Sequence, residues 1–302
     1  MISVIIPCHN CAGFINRSVD SVLRQTFQDI EVILVNNNST DNTLSLLRDY
    51  GFAYPDKIYV YNEYRKGAPA ARNYGLNKAR GEWIQFLDAD DELLPNKLQI
   101  QYDLAISGNA DVVAGDCLLK YNVNGKATDI IRRVEKDAWK GLVTSNLGIT
   151  SSNLWRKKAL LNVNGWNETL SSSQEYDLLF RLLKNNSQII HDNSINTTVH
   201  FSGNSISKSE NKEKMMQILD NRIILRLSIK KYLESSGLLT RKLTEVIDTY
   251  IYTEIMRYYP SIPVYAKELL KKYPLKVKIS RILKLRSKAL LYRLRTLKST
   301  FL

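Results

Sequence analysis

Short apolar runs alternate with amphipathic segments along the first part of the chain. Runs rich in β-branched residues predict strands, and apolar residues spaced three and four apart predict helices between them. The predicted strands are ISVIIP, EVILV, KIYVY, EWIQFL and ADVVAG. The predicted helices are FINRSVDSVLRQ, NTLSLLRDY, PAARNYGLNKA and LPNKLQIQYDLAI. This alternation is typical of an α/β fold, with a mainly parallel central sheet flanked by helices.

The pattern changes in the second part of the chain. The pair Asn124-Gly125 lies between two strand-like runs and predicts a β-hairpin, and YDLLFRLLK predicts an amphipathic helix. From about residue 208 the pattern is helical, with interruptions at prolines. We therefore predict an α/β domain and a helical, basic C-terminal region. Their bounds are 1–207, with halves 1–115 and 116–207, and 208–302.

Polar residues follow three of the predicted strands. They are PCHN at 7–10, NNNSTD at 36–41 and DADD at 88–91. In open parallel sheets, ligands bind beyond the carboxyl ends of the strands. Three carboxylates within four residues repel one another unless a cation neutralises them, and oxygen-rich sites suit Mg²⁺ or Mn²⁺. A solvated turn with acidic residues that begin the next helix is the alternative.

The motif PCHNC, at residues 7–11, has the cysteine spacing of a redox pair or of half a zinc site. The chain has three cysteines, and Cys117, His191 and His200 are isolated in the sequence. A closed zinc site needs about four ligands, usually from a second knuckle. We therefore predict that the spacing of Cys8 and Cys11 carries no zinc or thiol chemistry.

The net charge of the chain is +13, and most of the excess lies at one end. Residues 271–302 contain 11 Lys and Arg residues and no Asp or Glu. A protein that grips nucleic acid with its main domain would carry the charge there. Aromatic residues for base stacking are also sparse in this tail. We therefore predict no nucleic-acid partner.

The same tail contains the segment RILKLRSKALLYRLRTLK, with apolar residues at helical spacing among basic ones. Such a helix can lie on an anionic membrane surface. A helix packed into a core or into a homo-oligomer interface is the alternative. The sequence has no run of about 18 apolar residues that would predict a membrane span and no basic segment typical of a signal peptide at its start, so we expect a cytoplasmic protein.

Four fragments carry a resemblance to a known family. They are SVIIPCHN, SVLRQTFQDIEVILVNNNSTDNT, GAPAARNYGLNKARGEWIQFLDADDEL and NGWNETLSSSQEYDLLFRLL. In this order they resemble the inverting family 2 glycosyltransferases of the GT-A fold, over residues 1–207. The resemblance implies an enzyme that moves a sugar from a nucleotide sugar, here a UDP-sugar, to a hydroxyl of a glycan acceptor with Mn²⁺ or Mg²⁺.

The resemblance also implies a setting. Many such enzymes extend a lipid-linked glycan in the synthesis of cell-surface polysaccharide, such as O-antigen or capsule. The expected location is therefore the inner face of the cell membrane, with the protein bound peripherally.

The resemblance assigns the nucleotide-binding residues of this chain. They are Pro7, His9, Asn10, Asn37, Arg72 and Asp88. His9 stands where the family has a tyrosine whose ring packs on the base, and an imidazole ring can also stack. Asn36 and Asn37 replace an Asp pair of the family, of which the second accepts a hydrogen bond from uracil. An Asn carbonyl can still accept such a bond, so a UDP-sugar remains the expected donor and the base preference stays open.

The resemblance assigns Asp88 and Asp90 to the metal, with Asp90 as the direct ligand. His200 resembles a late histidine of the family that reaches the metal or the diphosphate, and a partly buried histidine at a strand end is the alternative. Glu175 takes the position of the catalytic base and Asp177 is its rival, while Gln174 replaces a Glu that the family usually has. These departures leave a second hypothesis open, a sugar-nucleotide-binding pseudoenzyme that serves as a partner subunit.

Overall fold

The computed structural model of the protein describes residues 1–123, 126–201 and 211–287. The chain divides into two units, Met1–Gly203 and Asn204–Leu302. The first unit has a mainly parallel central sheet covered by helices, and the second is helical in its described part. The predicted fold class is therefore confirmed. The predicted turn at Asn124-Gly125 and the residues 288–302 of the basic tail lie outside the described residues.

The described strands and helices follow in chain order. The strands are β1 (Ile2–Cys8), β2 (Ile30–Asn36), β3 (Ile58–Asn62), β4 (Trp83–Phe86), β5 (Glu92–Leu93), β6 (Val112–Gly115), β7 (Cys117–Val123), β8 (Lys126–Arg132), β9 (Leu154–Arg156), β10 (Ile189–Asp192) and β11 (Thr197–Phe201). The helices are α1 (Ile15–Leu23), α2 (Thr43–Ala53), α3 (Ala68–Lys78), α4 (Lys97–Ser107), α5 (Ala138–Thr144), α6 (Lys157–Asn162), α7 (Gln174–Lys184), α8 (Lys212–Ser235), α9 (Arg241–Tyr258) and α10 (Pro263–Lys272). Residues 279–287 are also helical.

The larger sheet has the strand order β10-β6-β9-β4-β1-β2-β3. Every neighbouring pair in it is parallel except those of β9, which runs antiparallel to β4 and β6. The pattern of the sequence did not predict β9, because three residues are too few to show a period. A smaller sheet has the order β5-β11-β7-β8, with β7 and β8 paired antiparallel as the hairpin prediction requires.

Burial on both faces explains the strand sequences. All residues of β2 are buried, and β1 is buried except at Pro7, as expected for parallel strands that helices cover on both sides. Helix α3 packs closely on β1, since a Cβ atom at Gly75 would lie 2.4 Å from Cγ2 of Ile5. This close approach fixes the position of α3 and of the side chains that it carries toward the sheet edge.

The mainly apolar interior of the helical unit includes buried charged residues. Asp248 and Glu254 of α9 are buried and form ion pairs with α8, through Lys230 at 2.8 Å and Arg222 at 2.5 Å. None of the helices in the described residues has the length and apolarity needed to cross a membrane.

Candidate active site

The loops that follow β1 and β2 are joined by hydrogen bonds. Nδ1 of His9 lies 2.7 Å from the backbone oxygen of Asn37, and the backbone N–H of Asn37 donates to the oxygen of Cys8 at 2.7 Å. The side-chain oxygen of Asn10 accepts from the backbone N–H of Thr40 at 2.8 Å. The ring of His9 is exposed, so it is available to a ligand at the carboxyl end of these strands.

Asn37 organises the loop that leads into α3. Its Nδ2 donates to the backbone oxygens of Glu63 and Arg65, at 2.8 and 2.7 Å, and its Oδ1 accepts from the N–H of Gly67 at 2.8 Å. Gly67 has φ of 112°, a conformation that suits glycine. The two acceptors fix the orientation of the amide, so that Asn37 has only its second oxygen lone pair left for another partner.

The acidic residues 88–91 follow β4 and are not the start of a helix, because α4 begins at Lys97. The Asp91 carboxyl is buried and accepts from the hydroxyl of Ser151 at 2.5 Å, and that hydroxyl accepts from the backbone N–H of Asp88 at 3.1 Å. Desolvation by the surrounding protein and the charge of Asp88 raise the pKa of Asp90. The carboxylates are thus close enough to repel one another, and Ser151 holds their turn in shape.

Ser151 was not among the residues that the sequence singled out. It lies in a short 3₁₀ turn, Thr150–Ser152, far from residue 88 in the chain. A serine in a serine-rich stretch gives no local signal of such a contact.

Arg72 of α3 connects three parts of the site. Its Nη2 lies 2.6 Å from Oδ1 of Asp88, and its Nη1 donates to Oε1 of Gln174 at 3.3 Å. The guanidinium also lies over the ring of Trp166, with 4.5 Å between its central carbon and the ring centroid. Arg72 is buried. It therefore joins the acidic turn to the first residue of α7.

Helix α7 carries the two candidate catalytic carboxylates. Asp177 is paired with Arg181 on the next turn, at 2.8 Å. Within the described residues, no hydrogen bond or ion pair engages the half-buried carboxylate of Glu175. Electrostatic attraction to Glu175 is among the causes that raise the pKa of Arg132. Asp177 is thus paired within the helix, whereas the carboxylate of Glu175 has no such partner among the described residues.

The wall beside Arg72 is built from residues 166–168. The side chain of Asn73 donates to the Trp166 oxygen at 2.9 Å and to Glu168 at 2.8 Å, and Arg65 also pairs with Glu168 at 2.8 Å. Trp166 and Trp155 are buried, so both pack in the protein and neither offers a face to a sugar.

His200 lies on β11, which pairs with β5 just after the acidic turn. Its Nε2 is 3.2 Å from Oε2 of Glu92. Desolvation and the nearby Arg17 lower the pKa of His200, and Arg17 itself donates to the backbone oxygen of Asp90. His200 is thus held near the acidic turn by its contact with Glu92. Pro7 is the last but one residue of β1 and pairs with Val35 of β2.

The donor set fits a divalent ion that arrives with its substrate. Across residues 1–123, 126–201 and 211–287, no group of three or more His, Cys, Asp and Glu side chains is arranged to hold a metal. Mg²⁺ commonly takes one or two carboxylates and completes its shell with water and substrate phosphates. The mutual repulsion of Asp88 and Asp90 is the feature that a cation would relieve.

Cys8 and Cys11 are both buried in the main core. A hydrogen bond from Cys8 lowers the pKa of Cys11, while burial raises the pKa of Cys8. His9, between them, faces outward. The two sulfurs pack beneath the loop, and no zinc-binding group forms around them in the part of the chain that the structure describes.

Comparison with curated proteins identifies relatives. The family model described as glycosyl transferase family 2 matches residues 3–166. An uncharacterized glycosyltransferase of Rickettsia felis is 27% identical over 195 residues, which cover 61% of this chain and 31% of that protein. The chain thus spans about a third of the length of such relatives. The Escherichia coli protein named UDP-Glc:alpha-D-GlcNAc-diphosphoundecaprenol beta-1,3-glucosyltransferase WfgD is 30% identical over 221 residues, covering 72% of this chain and 83% of that protein.

Solved structures show the same fold. Residues 1–349 of S. aureus TarS, in complex with UDP-GlcNAc, match with a TM-score of 0.61 and 18% identity, over 89% of this chain and 83% of that one. The mannosyltransferase PcManGT of Pyrobaculum calidifontis, in complex with GDP-Man and Mn²⁺, matches with a TM-score of 0.57 and 15% identity, over 90% and 81%. The predicted GT-A fold is confirmed by these structures, and the chain belongs to glycosyl transferase family 2.

Proposed function

We propose that this protein transfers a sugar from a UDP-sugar to a hydroxyl of a glycan, with inversion at the anomeric carbon and with a divalent cation. The observation that carries the proposal is the guanidinium of Arg72, which contacts both Asp88 and Gln174. It brings the acidic turn, where a donor diphosphate would be held, beside the helix that presents the unbonded carboxylate of Glu175. In this proposal the donor site and the base lie at the same edge of the sheet.

The donor half of the site uses the loops after β1 and β2. The exposed ring of His9 offers a flat surface to a base, and Asn10 and Pro7 shape the loop around it. Both N–H groups of the Asn37 amide are already used by the protein, so only its Oδ1 atom can bind a further partner, as an acceptor. An acceptor matches a base that carries a ring N–H, such as uracil, and disfavours one with a bare ring nitrogen at that edge. The UDP-GlcNAc bound by TarS and the GDP-Man bound by PcManGT both carry a base of that kind.

Asp90 and Asp88 are the residues that would hold Mn²⁺ or Mg²⁺, with His200 close by. When bound, the ion offsets the negative charge that develops on the departing diphosphate. Arg72 contributes a fixed positive charge at the same place and is already oriented by Asp88 and by the ring of Trp166. PcManGT was solved in complex with GDP-Man and Mn²⁺, which supports a divalent cation for this fold.

Glu175 removes the proton from the acceptor hydroxyl as that oxygen attacks the anomeric carbon. Attack from the face opposite the leaving diphosphate converts an α-linked donor into a β-linked product. A general base of this kind typically contributes about 10²–10⁴-fold in rate. Asp177 cannot serve as readily, because its carboxylate is paired with Arg181.

The acceptor is a lipid-linked glycan, and the pathway is the synthesis of a cell-surface polysaccharide such as O-antigen or capsule. The name of WfgD, which includes a sugar-diphosphoundecaprenol acceptor, supports this class. The protein would then work at the cytoplasmic face of the membrane. The basic region 271–302 supports contact with an anionic surface.

A screen of nucleotide sugars tests the proposal. A donor that binds the folded protein raises its unfolding temperature by mass action, and we expect UDP-sugars with Mn²⁺ to give the largest shift. The selected donor should then release UDP in the presence of a polyprenyl-diphosphate-linked acceptor. Binding without any release of UDP would favour a pseudoenzyme that serves as a partner subunit, a hypothesis prompted by Asn36, Asn37 and Gln174.

A further inference from the structure

The segment that follows α10 lies on the helical unit with a regular alternation of sides. Tyr273, Leu275 and Val277 are half-buried, whereas Lys276 and Lys278 between and after them are exposed. The alternation shows that this stretch is extended and packs with one side. Residues 279–287 then continue as a helix.

Polar contacts with α9 fix the segment in place. The backbone N–H of Lys276 donates to the buried carboxylate of Asp248 at 3.0 Å. The ammonium of Lys278 lies 2.7 Å from Glu245, and Nε of Arg286 donates to the hydroxyl of Tyr252 at 3.3 Å. The segment is therefore attached at both ends, and its outer face is defined.

The outer face of the helix 279–287 presents two large aliphatic side chains to solvent. Ile279 is 76% exposed and Leu283 is 63% exposed. They are four residues apart and so lie side by side on the helix. Ile282 and Leu285 are half-buried. The side chains of Ile282 and Leu285 thus pack partly against the protein, whereas those of Ile279 and Leu283 remain in solvent.

The surroundings of this aliphatic pair are basic. Between residues 271 and 287 the chain has seven basic residues, all exposed, and no Asp or Glu. They are Lys271, Lys272, Lys276, Lys278, Arg281, Lys284 and Arg286. Glu245, which pairs with Lys278, offsets one of these seven positive charges.

We propose that the outer face of segment 271–287, which exposes Ile279 and Leu283 and is flanked by basic residues along the segment, docks onto an anionic lipid bilayer. Exposed aliphatic side chains enter the boundary of headgroups and acyl chains, and Lys and Arg side chains meet the lipid phosphates. A site for single-stranded nucleic acid would need exposed aromatic residues for stacking, and the one aromatic residue of segment 271–287, Tyr273, is half-buried.

The inference deepens the proposed function, because it provides a reason for the enzyme to meet a lipid-linked acceptor. It depends on the proposed function only in one respect, that the acceptor is taken to be lipid-linked. Vesicle binding is measured with neither donor nor acceptor present, so its failure would leave the transfer of sugar to a glycan standing.

The test is co-sedimentation of the full-length protein with vesicles of phosphatidylcholine containing phosphatidylglycerol. We expect binding at low salt and release at about 0.5 M NaCl, where charges are screened within a few ångströms. The double variant Ile279→Ser, Leu283→Ser should lower the partition coefficient about tenfold or more, since two aliphatic side chains no longer leave water. The variant Arg281→Gln, Lys284→Gln should lower it roughly tenfold at low salt.

Ile224→Ser is the matched control, because Ile224 is an aliphatic residue of α8 that is 57% exposed and lies outside this face. It should bind vesicles as the unchanged protein does. Thermal unfolding of each variant checks that the fold is kept. Equal binding to vesicles of phosphatidylcholine alone, or unaltered binding of the Ile279→Ser, Leu283→Ser variant, would overturn the proposal. A loss of dimer in that variant without a loss of vesicle binding would show that the face is an interface between copies of the chain. Binding of single-stranded RNA as tight as binding to the anionic vesicles would also overturn the proposal.

Discussion

The side chains of Arg72 and Asp88 meet at 2.6 Å, between Nη2 and Oδ1, although they belong to a helix and to the turn after a strand. Arg72 is buried against Trp166, while the carboxylate of Asp88 is 38% exposed. The positive charge is thus held rigidly by the protein and the negative charge faces outward. A ligand at this edge of the sheet would meet the carboxylate of Asp88, with the guanidinium of Arg72 directly behind it.

The first prediction concerns the shape of the Arg72 side chain. Arg72→Lys keeps the charge but loses the planar fork that contacts Asp88 and Gln174 together. We expect kcat/KM for the donor to fall about tenfold or more, with the fold retained. Steady-state release of UDP measures the effect.

Arg80→Lys provides the control for this substitution. Arg80 also lies over an aromatic ring, that of Tyr59 at 4.8 Å, and pairs with a carboxylate, Glu31 at 2.8 Å. It follows α3 at the opposite end of that helix. Transfer should be unchanged in Arg80→Lys, and an equal loss in both variants would show that Arg72 acts only through packing.

The fold was largely predictable from the sequence, because its early strands are buried on both faces and its helices show a clear period. The predicted helix FINRSVDSVLRQ corresponds to α1, and the run ADVVAG contains β6. The strands β5 and β9 were not predicted. They have two and three residues, and their strand character comes from pairing with distant segments.

A motif of the sequence marked one part of the candidate site, residues 88–91. The assignment of each residue to a role came from a resemblance and stays a prediction. The contacts that hold the site together were not predictable, because they join distant parts of the chain. Ser151 binds the acidic turn, and Asn73 binds residues 166–168, yet neither pattern is visible along the sequence.

The second prediction concerns the amide of Asn37. Asn37→Asp places a carboxylate oxygen against the backbone oxygens of Glu63 and Arg65, where the amide now donates. We expect a loss of about 2–4 kcal/mol in the free energy of unfolding, together with weaker donor binding. Denaturant unfolding and calorimetric titration with UDP measure the two effects.

Asn38→Asp is the matched control for that change. Its amide donates to the oxygen of Tyr64 at 3.1 Å in an exposed position, so its loss should cost less than about 1 kcal/mol. Equal stability of Asn37→Asp and the unchanged protein would contradict the role of Asn37 in shaping the loop.

The third prediction separates the cysteines from His9. Cys8→Ala with Cys11→Ala should leave transfer within a few-fold of the unchanged protein and no zinc should co-purify, although the free energy of unfolding should fall by about 1–3 kcal/mol from lost core packing. His9→Ala should weaken donor binding by about 1 kcal/mol, the scale of one aromatic contact. Stoichiometric zinc in the purified protein would reverse this account of the motif.

The fourth prediction concerns the divalent cation. Asp90→Asn should weaken the binding of UDP in the presence of Mn²⁺ and leave the weaker binding without Mn²⁺ nearly unchanged, because the carboxylate acts through the ion. Calorimetric titration of UDP with and without Mn²⁺ measures this. Asp103→Asn, at an exposed carboxylate of α4, should change neither value. Full transfer activity in excess EDTA would rule out the metal.

The central claim, that Glu175 is the base of a sugar transfer, is tested most directly by comparing two isosteric changes on α7. Glu175→Gln should reduce the release of UDP by about 10²-fold or more while UDP-sugar affinity stays nearly the same, because the carboxylate acts in the transition state. Asp177→Asn should retain most of the activity, since its carboxylate is occupied by Arg181. An active Glu175→Gln together with an inactive Asp177→Asn would contradict the account.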